Sequence, residues 1–216
     1  MTLVKILEKN AKEIPEKAAI IFHDSRINYK ELNETVNRLA NGLVEMGFHT
    51  GDRVGLMLPR IPELIISFLA VAKTCGIATP INFELTDEDI NTILHSISPR
   101  YLIVHSLFID LAIRSIPPDS QIPIIAVGDS GRKCILWNDV IKKGKTNNLK
   151  FDIQDDDIVY LNYTSGSTGS SKGAITTNSN IRWNTIASVD ALGLKSNDIH
   201  LCMFAPFAHP HEIFAR

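Results

Sequence analysis

Short apolar runs alternate along this chain with longer segments in which apolar residues recur every three or four positions. The runs occupy residues 54–58, 77–81, 101–104, 122–127, 158–163 and 199–204. Runs of this length are typical of strands buried on both faces, and their alternation with helices indicates parallel strands joined by right-handed crossovers. We therefore predict an α/β fold in which helices flank a mostly parallel sheet.

Three of the predicted helices carry local start or stop signals. The first has an apolar stripe formed by Leu32, Val36, Leu39, Leu43 and Met46. Asn28 and Glu31 form the pattern of an N-terminal cap, and Gly47 is placed to end the helix because glycine adopts positive φ at little cost. Pro62 opens the second helix, where its missing N–H is not needed, and Thr86 begins the third with the pattern of a capping box.

The composition bears on which partners the protein binds and in which cellular compartment it lies. Lys and Arg number 22 against 24 Asp and Glu, for a formal charge of -2, so the chain lacks the basic surface that neutralises nucleic acid. Cys75, Cys134 and Cys202 show no CxxC spacing, and we expect them to be reduced. Charges interrupt residues 1–15, unlike a signal peptide, and the most apolar region, residues 61–72, is too short to span a membrane. We expect a cytoplasmic protein that does not bind nucleic acid.

One polar stretch, residues 142–157, interrupts the alternation. It is rich in Lys, Asn and Asp, and it reads either as a surface loop within one domain or as a boundary between two domains. With 216 residues, the chain has the length of one large domain or two small ones. The sequence alone leaves both interpretations open and favours the loop.

The segment that carries the chemistry follows the apolar run at residues 158–163 directly. It reads TSGSTGSSKG from Thr164 to Gly173 and contains no apolar side chain. Glycines allow backbone N–H groups to converge on an anion, hydroxyl groups add hydrogen-bond donors, and Lys172 adds a positive charge. Ligands of open α/β sheets bind beyond the carboxyl ends of the strands. We therefore predict that this segment binds phosphate and is not a flexible linker.

Two common nucleotide-binding motifs do not fit this segment. A Walker loop, GxxxxGK[ST], needs a glycine before its lysine and Ser or Thr after it, but Ser171 precedes Lys172 and Gly173 follows it. A dinucleotide-binding GxGxxG is also excluded, because Gly166, Gly169 and Gly173 are spaced three and four residues apart.

The order YTSGSTGSSKG resembles the phosphate-loop signature of the adenylate-forming superfamily, which comprises acyl-CoA synthetases, peptide-synthetase adenylation domains and luciferases. Ser171 replaces the usual proline before the lysine. Further segments similar to the family lie at residues 27–32, 51–54, 59–82 and 85–88. The resemblance implies that residues 1–216 are the N-terminal part of the family's large AMP-binding domain, and that the rest of that domain and the C-terminal lid domain are absent.

The resemblance also implies a reaction and its cofactors. A carboxylic acid would attack ATP, with Mg²⁺ as the metal, to give an acyl-adenylate and pyrophosphate, and the thiol of CoA would then displace AMP. The residues implied to bind the β- and γ-phosphates are Thr164, Ser165, Gly166, Ser167, Thr168, Gly169 and Lys172. The family's catalytic groups, such as its C-terminal lysine, would lie outside this chain, so we expect the chain alone to be inactive.

His209 is the candidate residue for the acyl site. Residues 206–209 resemble the family's Pro-x-x-His element, whose histidine or aromatic residue lies between nucleotide and acyl group, although the glycine that follows it there is lacking. A metal site is not predicted, because an HExxH pattern starting at His211 needs a second histidine where Ala215 stands.

The branch of the superfamily is indicated by one short segment. Residues 80–82 resemble the Pro-x-Asn of acid:CoA ligases, whereas peptide-synthetase modules usually carry Asp in place of Asn82. We therefore favour an acyl-CoA synthetase. A peptide-synthetase-type adenylation domain and a nucleotide-binding module without chemistry remain alternatives. The acid, whether fatty, aryl or amino, and the oligomeric state stay open.

Overall fold

The structure is a computed structural model that describes residues 2–164 and 172–202. Its helices are α1 (Leu3–Glu13), α2 (Tyr29–Glu45), α3 (Pro62–Lys73), α4 (Asp87–Ile97), α5 (Ile109–Ser115), α6 (Trp137–Lys143) and α7 (Asn178–Leu192). Its strands are β1 (Ala18–Phe22), β2 (Ser25–Asn28), β3 (Arg53–Met57), β4 (Ile77–Pro80), β5 (Tyr101–His105), β6 (Ile124–Val127), β7 (Ile135–Leu136), β8 (Ile158–Thr164) and β9 (Lys172–Thr177). A short 3-10 turn, Ser106–Phe108, precedes α5.

Seven of the described strands form one sheet in the order β7-β6-β5-β3-β4-β8-β9. Neighbouring strands are parallel from β7 to β8, and β9 alone among them runs antiparallel, against β8. Strands β1 and β2 pair separately as an antiparallel hairpin. The prediction of a mostly parallel sheet flanked by helices is confirmed.

The local helix signals act as the sequence predicts. Asn28 and Glu31 form a reciprocal capping box at the start of α2, and Gly47, just past its end, has φ +86°. Pro62 is the first residue of α3. The Thr86 hydroxyl accepts a hydrogen bond from the Asp89 N–H at 3.2 Å, and it donates to the Asp89 carboxylate at 2.9 Å. The third cap is therefore a variant of the capping box, in which the carboxylate binds the hydroxyl.

Both faces of the sheet are buried. Successive residues of a strand point to opposite faces, so each strand contributes to two core clusters. Leu56 of β3 and Ile103 of β5 belong to a core cluster shared with α1, α2 and α3. Met57 and Val104, the next residue of each strand, belong to a second cluster shared with α4 and α5. This arrangement explains why the strands read as continuous apolar runs.

The strand predicted at residues 199–204 is wrong over its described part. Residues 199–202 form no regular element, and Ile199 and Leu201 are exposed. A strand requires a partner for its backbone groups. Strand β9, which the sequence analysis did not predict, takes the place beside β8.

The polar stretch begins in helix α6, which ends at Lys143, and its remaining residues, 144–157, form no helix or strand but contact helix α2. The Asn37 side-chain amide donates to the Thr146 carbonyl at 2.7 Å, and Asn41 donates to the Lys145 and Asn147 carbonyls at 3.1 and 3.0 Å. These bonds attach the stretch to α2, while the division of the chain into domains stays a prediction. Among the described residues, no helix is long and apolar enough to cross a membrane.

Candidate functional site

The predicted phosphate loop joins the two strands of the β8–β9 hairpin. The backbones of Thr164 and Lys172 face each other as the last pair of the antiparallel ladder, so the structure brings together the two ends of the predicted site. The other predicted phosphate-binding residues lie outside the described part of the chain: Ser165, Gly166, Ser167, Thr168 and Gly169. His209, the acyl-site candidate, also lies outside it.

Strand β8 ends at the edge of the sheet where open α/β sheets bind their ligands. Strand β8 is parallel to β4, which is parallel to β3, and β3 in turn is parallel to β5. The carboxyl ends of all four strands therefore lie at one edge of the sheet, where open α/β sheets bind their ligands. The loop begins at this edge, immediately after Thr164.

Lys172 is available to bind an anion. It is exposed at the first position of β9. Seven ion pairs are formed within the described residues, and none of them involves Lys172. Its ammonium group is therefore not neutralised by an acidic side chain of the described chain.

Tyr163, next to Thr164, connects the hairpin to the rest of the domain. It pairs with Gly173 across the ladder, and its hydroxyl lies 2.7 Å from the Ser96 hydroxyl at the end of α4. Neither Tyr163 nor Ser96 was predicted from the sequence to be a site residue. The available signal was the tyrosine directly before the loop, but its partners are distant in sequence.

Tyr160, three residues earlier on β8, is a structural residue. Burial raises the pKa of its phenol above the ordinary value of 10.0, and a hydrogen bond with Thr176 opposes this shift in part. Its ring packs edge-on against Phe68 of α3, with ring centroids 5.6 Å apart. Tyr160 therefore remains protonated at neutral pH. Its ring supports the face of the hairpin opposite to that of Tyr163.

The described residues include no preformed cluster of metal-binding side chains. They contain no group of three or more His, Cys, Asp or Glu side chains that could hold a metal ion. Mg²⁺ prefers carboxylate and phosphate oxygens as ligands. The Mg²⁺ implied by the family resemblance stays a prediction.

Comparison with known proteins identifies similar sequences. A family model described as AMP-binding enzyme matches residues 7–215. The chain is 31% identical, over 198 residues, to a dimodular nonribosomal peptide synthase of Bacillus subtilis, and the match covers 92% of this chain and 8% of that protein.

Two solved structures have the same fold. A protein described as a long-chain-fatty-acid CoA ligase from Rhodopseudomonas palustris matches with a TM-score of 0.91 at 24% identity, covering 100% of this chain and 55% of that one. The anthranilate CoA ligase AuaEII, solved in complex with anthranoyl-AMP, matches with a TM-score of 0.89 at 28% identity, covering 96% and 40%. The chain thus spans about half the length of the first of these structures and less of the second.

Proposed function

The chain belongs to the AMP-binding enzyme family, and from that premise we propose that it carries the triphosphate-binding part of an adenylate-forming ligase. In this proposal the full-length enzyme activates a carboxylic acid with ATP and transfers the acyl group to the thiol of CoA. The observation that carries the proposal is the position of Lys172. It is exposed and without an ion pair to the described residues, at the end of a glycine- and hydroxyl-rich loop on the ligand-binding edge of the sheet.

The proposed chemistry consists of two displacements. A carboxylate oxygen of the acid attacks the α-phosphorus of ATP, the bond from that phosphorus to the bridging oxygen breaks, and pyrophosphate leaves with the electron pair. The thiol sulfur then attacks the acyl carbonyl carbon and gives up its proton to solvent, the bond from that carbon to the phosphate oxygen breaks, and AMP leaves with the electron pair. The first step develops negative charge on phosphate oxygens, and donors fixed in advance stabilise that charge. We assign this role to Lys172 and to the backbone and hydroxyl groups between Thr164 and Gly169.

The choice of CoA as the thiol rests on two observations. Asn82 matches the acid:CoA ligase pattern, and the anthranilate CoA ligase has the same fold at 28% identity. The 31% identity to a peptide synthase favours a second candidate, an amino acid adenylation domain that loads the thiol of a carrier protein.

Pyrophosphate exchange tests the adenylation step and separates the two candidates. The full-length protein that contains this chain is incubated with ATP, labelled pyrophosphate and a panel of fatty, aryl and amino acids. We expect one class of acid to support exchange, and a CoA ligase should then form the acyl-CoA. Exchange with an amino acid but no product with CoA would favour the peptide-synthetase alternative. Absence of exchange with every acid would reject adenylation in favour of a module that only binds nucleotide.

The same assay applied to the 216-residue chain tests whether it suffices for chemistry. We expect no exchange above background, because the family's catalytic groups, such as its C-terminal lysine, would lie outside this chain. Acid-dependent exchange by the chain alone would contradict this part of the proposal.

A further inference from the structure

We propose that Tyr163 is a positioning residue for the phosphate loop. Its ring lies over Gly173 and its hydroxyl binds Ser96, so that the base of the loop is fixed to helix α4. The inference rests on the proposed function, because it assigns Tyr163 a role in the same triphosphate site. We do not propose that Tyr163 itself contacts the triphosphate.

The first contact is between Tyr163 and Gly173. A Cβ atom at position 173 would lie 3.0 Å from Cζ of the tyrosine ring, 3.1 Å from Cε2 and 3.3 Å from the hydroxyl oxygen. These distances are shorter than ordinary carbon contacts, so any side chain at position 173 would displace the ring. Glycine therefore provides the place for the ring directly beside Lys172.

The second contact is between Tyr163 and Ser96. The two hydroxyl oxygens are 2.7 Å apart, which is the distance of a good O–H···O hydrogen bond. Ser96 is in the last turn of α4, and its neighbours on that helix, Ile93 and Ile97, are buried in the core cluster against which Tyr163 also packs. The hydrogen bond therefore connects the hairpin to a helix that is anchored in the core.

The hairpin has little other support on this side. Strand β9 is the last strand of the described sheet, and its residues 172–175 are exposed. The backbone groups of a loop that binds a triphosphate must be held close to their productive positions before the ligand arrives. The only described strand beside β9 is β8, so besides the β8–β9 ladder itself the contacts of Tyr163 with Gly173 and Ser96 hold the strand ends from which the loop begins.

Hydrogen exchange at backbone amides tests the positioning role directly. The full-length protein is compared with Tyr163→Phe, which keeps the ring, with Ser96→Ala, and with the double variant. We expect amides at residues 162–164 and 172–175 to exchange about two- to tenfold faster in each single variant, the scale of one hydrogen bond. The double variant should be no faster than either single variant, because all three lack the same bond.

Tyr101→Phe is the matched control. Tyr101 is on strand β5, away from the hairpin, and its hydroxyl donates to the Met46 carbonyl at 2.6 Å. Its removal should leave exchange at the hairpin unchanged. The proposal would be overturned if the hairpin amides exchange equally fast in Tyr163→Phe and in the unaltered protein. It would also be overturned if the effects of the two single variants add in the double variant.

The kinetic counterpart distinguishes positioning from a purely structural contact. In Tyr163→Phe and Ser96→Ala we expect the apparent KM for ATP to rise by about the same two- to tenfold factor, with the KM for the acid unchanged. An unchanged KM for ATP despite faster hairpin exchange would also overturn the proposal. If the unaltered protein shows no acid-dependent pyrophosphate exchange at all, the proposed function fails, and hydrogen exchange still decides whether Tyr163 fixes the hairpin.

Discussion

The Lys73 ammonium group lies 2.8 Å from the Glu8 carboxylate in a site where the lysine side chain is only 1% exposed. Its other acceptors are the side-chain oxygens of Asn33, Asn37 and Asn148, at 2.6 to 3.0 Å. Glu8 is in α1, the first two asparagines are in α2, and Lys73 ends α3. One buried cation thus connects three helices to the polar stretch that contains Asn148.

Replacing Lys73 should destabilise the protein strongly. Lys73→Met keeps most of the side-chain volume but removes the donor to the Glu8 carboxylate and to the amide oxygens of Asn33 and Asn37. The Asn148 oxygen still accepts from the amides of Asn33 and Asn37. Removing one partner of a buried pair costs about 3 to 5 kcal/mol, and we expect the lower end because Glu8 is partly exposed. Urea denaturation measures the loss. Lys9→Ala, which removes an exposed pair with Glu13, should change the unfolding free energy by less than about 1 kcal/mol. Similar losses in both variants would contradict the prediction.

The same lysine should make stability depend on pH. Burial lowers the pKa of Lys73 below its ordinary value of 10.5, and the hydrogen bond and charge of Glu8 oppose this shift only in part. Between the folded pKa and 10.5 the unfolded state binds more protons than the folded state, so the free energy of unfolding rises with pH in that window. This gain in stability is lost when the pH is lowered through the folded pKa.

Comparison with Lys73→Met isolates this dependence. Burial raises the pKa of Cys75, so above its ordinary value of 9.0 this thiol makes stability fall as pH rises, and it does so in both proteins. The difference in unfolding free energy between wild type and Lys73→Met should therefore increase as pH rises toward 10.5. A difference that is constant from neutral to alkaline pH would show that the lysine titrates as if exposed.

Signals confined to a few neighbouring residues were sufficient to predict much of the fold. Asn28 with Glu31 and the apolar runs of the parallel strands act through local hydrogen bonds and burial, and both are visible in sequence. Strand β9 was missed because KGAITT lacks a buried face and becomes a strand only by pairing with β8. Lys73 reads as the polar end of an apolar helix, because its partners are distant in sequence.

The candidate site could be predicted in composition but not in its support. The residues between Thr164 and Lys172 predict phosphate-binding chemistry by their own groups. What positions them is a contact between Tyr163 and Ser96, which are 67 residues apart. No local pattern relates two such residues, so this support is visible only in the structure.

Gly55 of β3 should not tolerate a side chain. A Cβ atom there would lie 2.4 Å from Cδ2 of Leu102 and 2.9 Å from Cδ1 of Ile81, both of which are buried. We expect Gly55→Ala to lower the unfolding free energy by about 1 to 3 kcal/mol through overpacking. Combination with Leu102→Val, which shortens the nearer side chain, should recover part of the loss. Additive losses in the double variant would show that the clash is not the cause.

Helix α7 should make the chain bind hydrophobic dyes. Trp183 and Leu192 are 61% and 62% exposed, and Ile186 is also exposed. Contiguous exposed apolar residues are attractive to apolar probes. We expect Ile186→Lys and Leu192→Lys to reduce the fluorescence of a bound dye, whereas Ile14→Lys, at an exposed position after α1, should not. Equal dye binding in all four proteins would locate the surface elsewhere.

Lys172→Ala should impair the use of ATP in the full-length protein. Its ammonium group is exposed at the end of the predicted phosphate loop, opposite Thr164. A charge-assisted hydrogen bond contributes about 1.5 to 3 kcal/mol, so we expect kcat/KM for ATP to fall by about tenfold to a hundredfold. Lys30→Ala removes the same charge from an exposed position in α2 and should leave kcat/KM unchanged.

The comparison of the two half-reactions decides what Lys172 does. Adenylation develops charge on the triphosphate, whereas transfer of the acyl group to the thiol begins after pyrophosphate has left. If Lys172 contacts the β- or γ-phosphate, Lys172→Ala should slow pyrophosphate exchange and raise the apparent KM for ATP. Thioester formation from a supplied acyl-adenylate should then proceed at nearly the unaltered rate, because that substrate carries no β- or γ-phosphate.

A variant that loses both half-reactions equally has lost something other than a triphosphate contact, such as the shape of the hairpin, and hydrogen exchange at residues 162–164 would report that change. A variant that loses neither shows that the triphosphate is bound without this lysine.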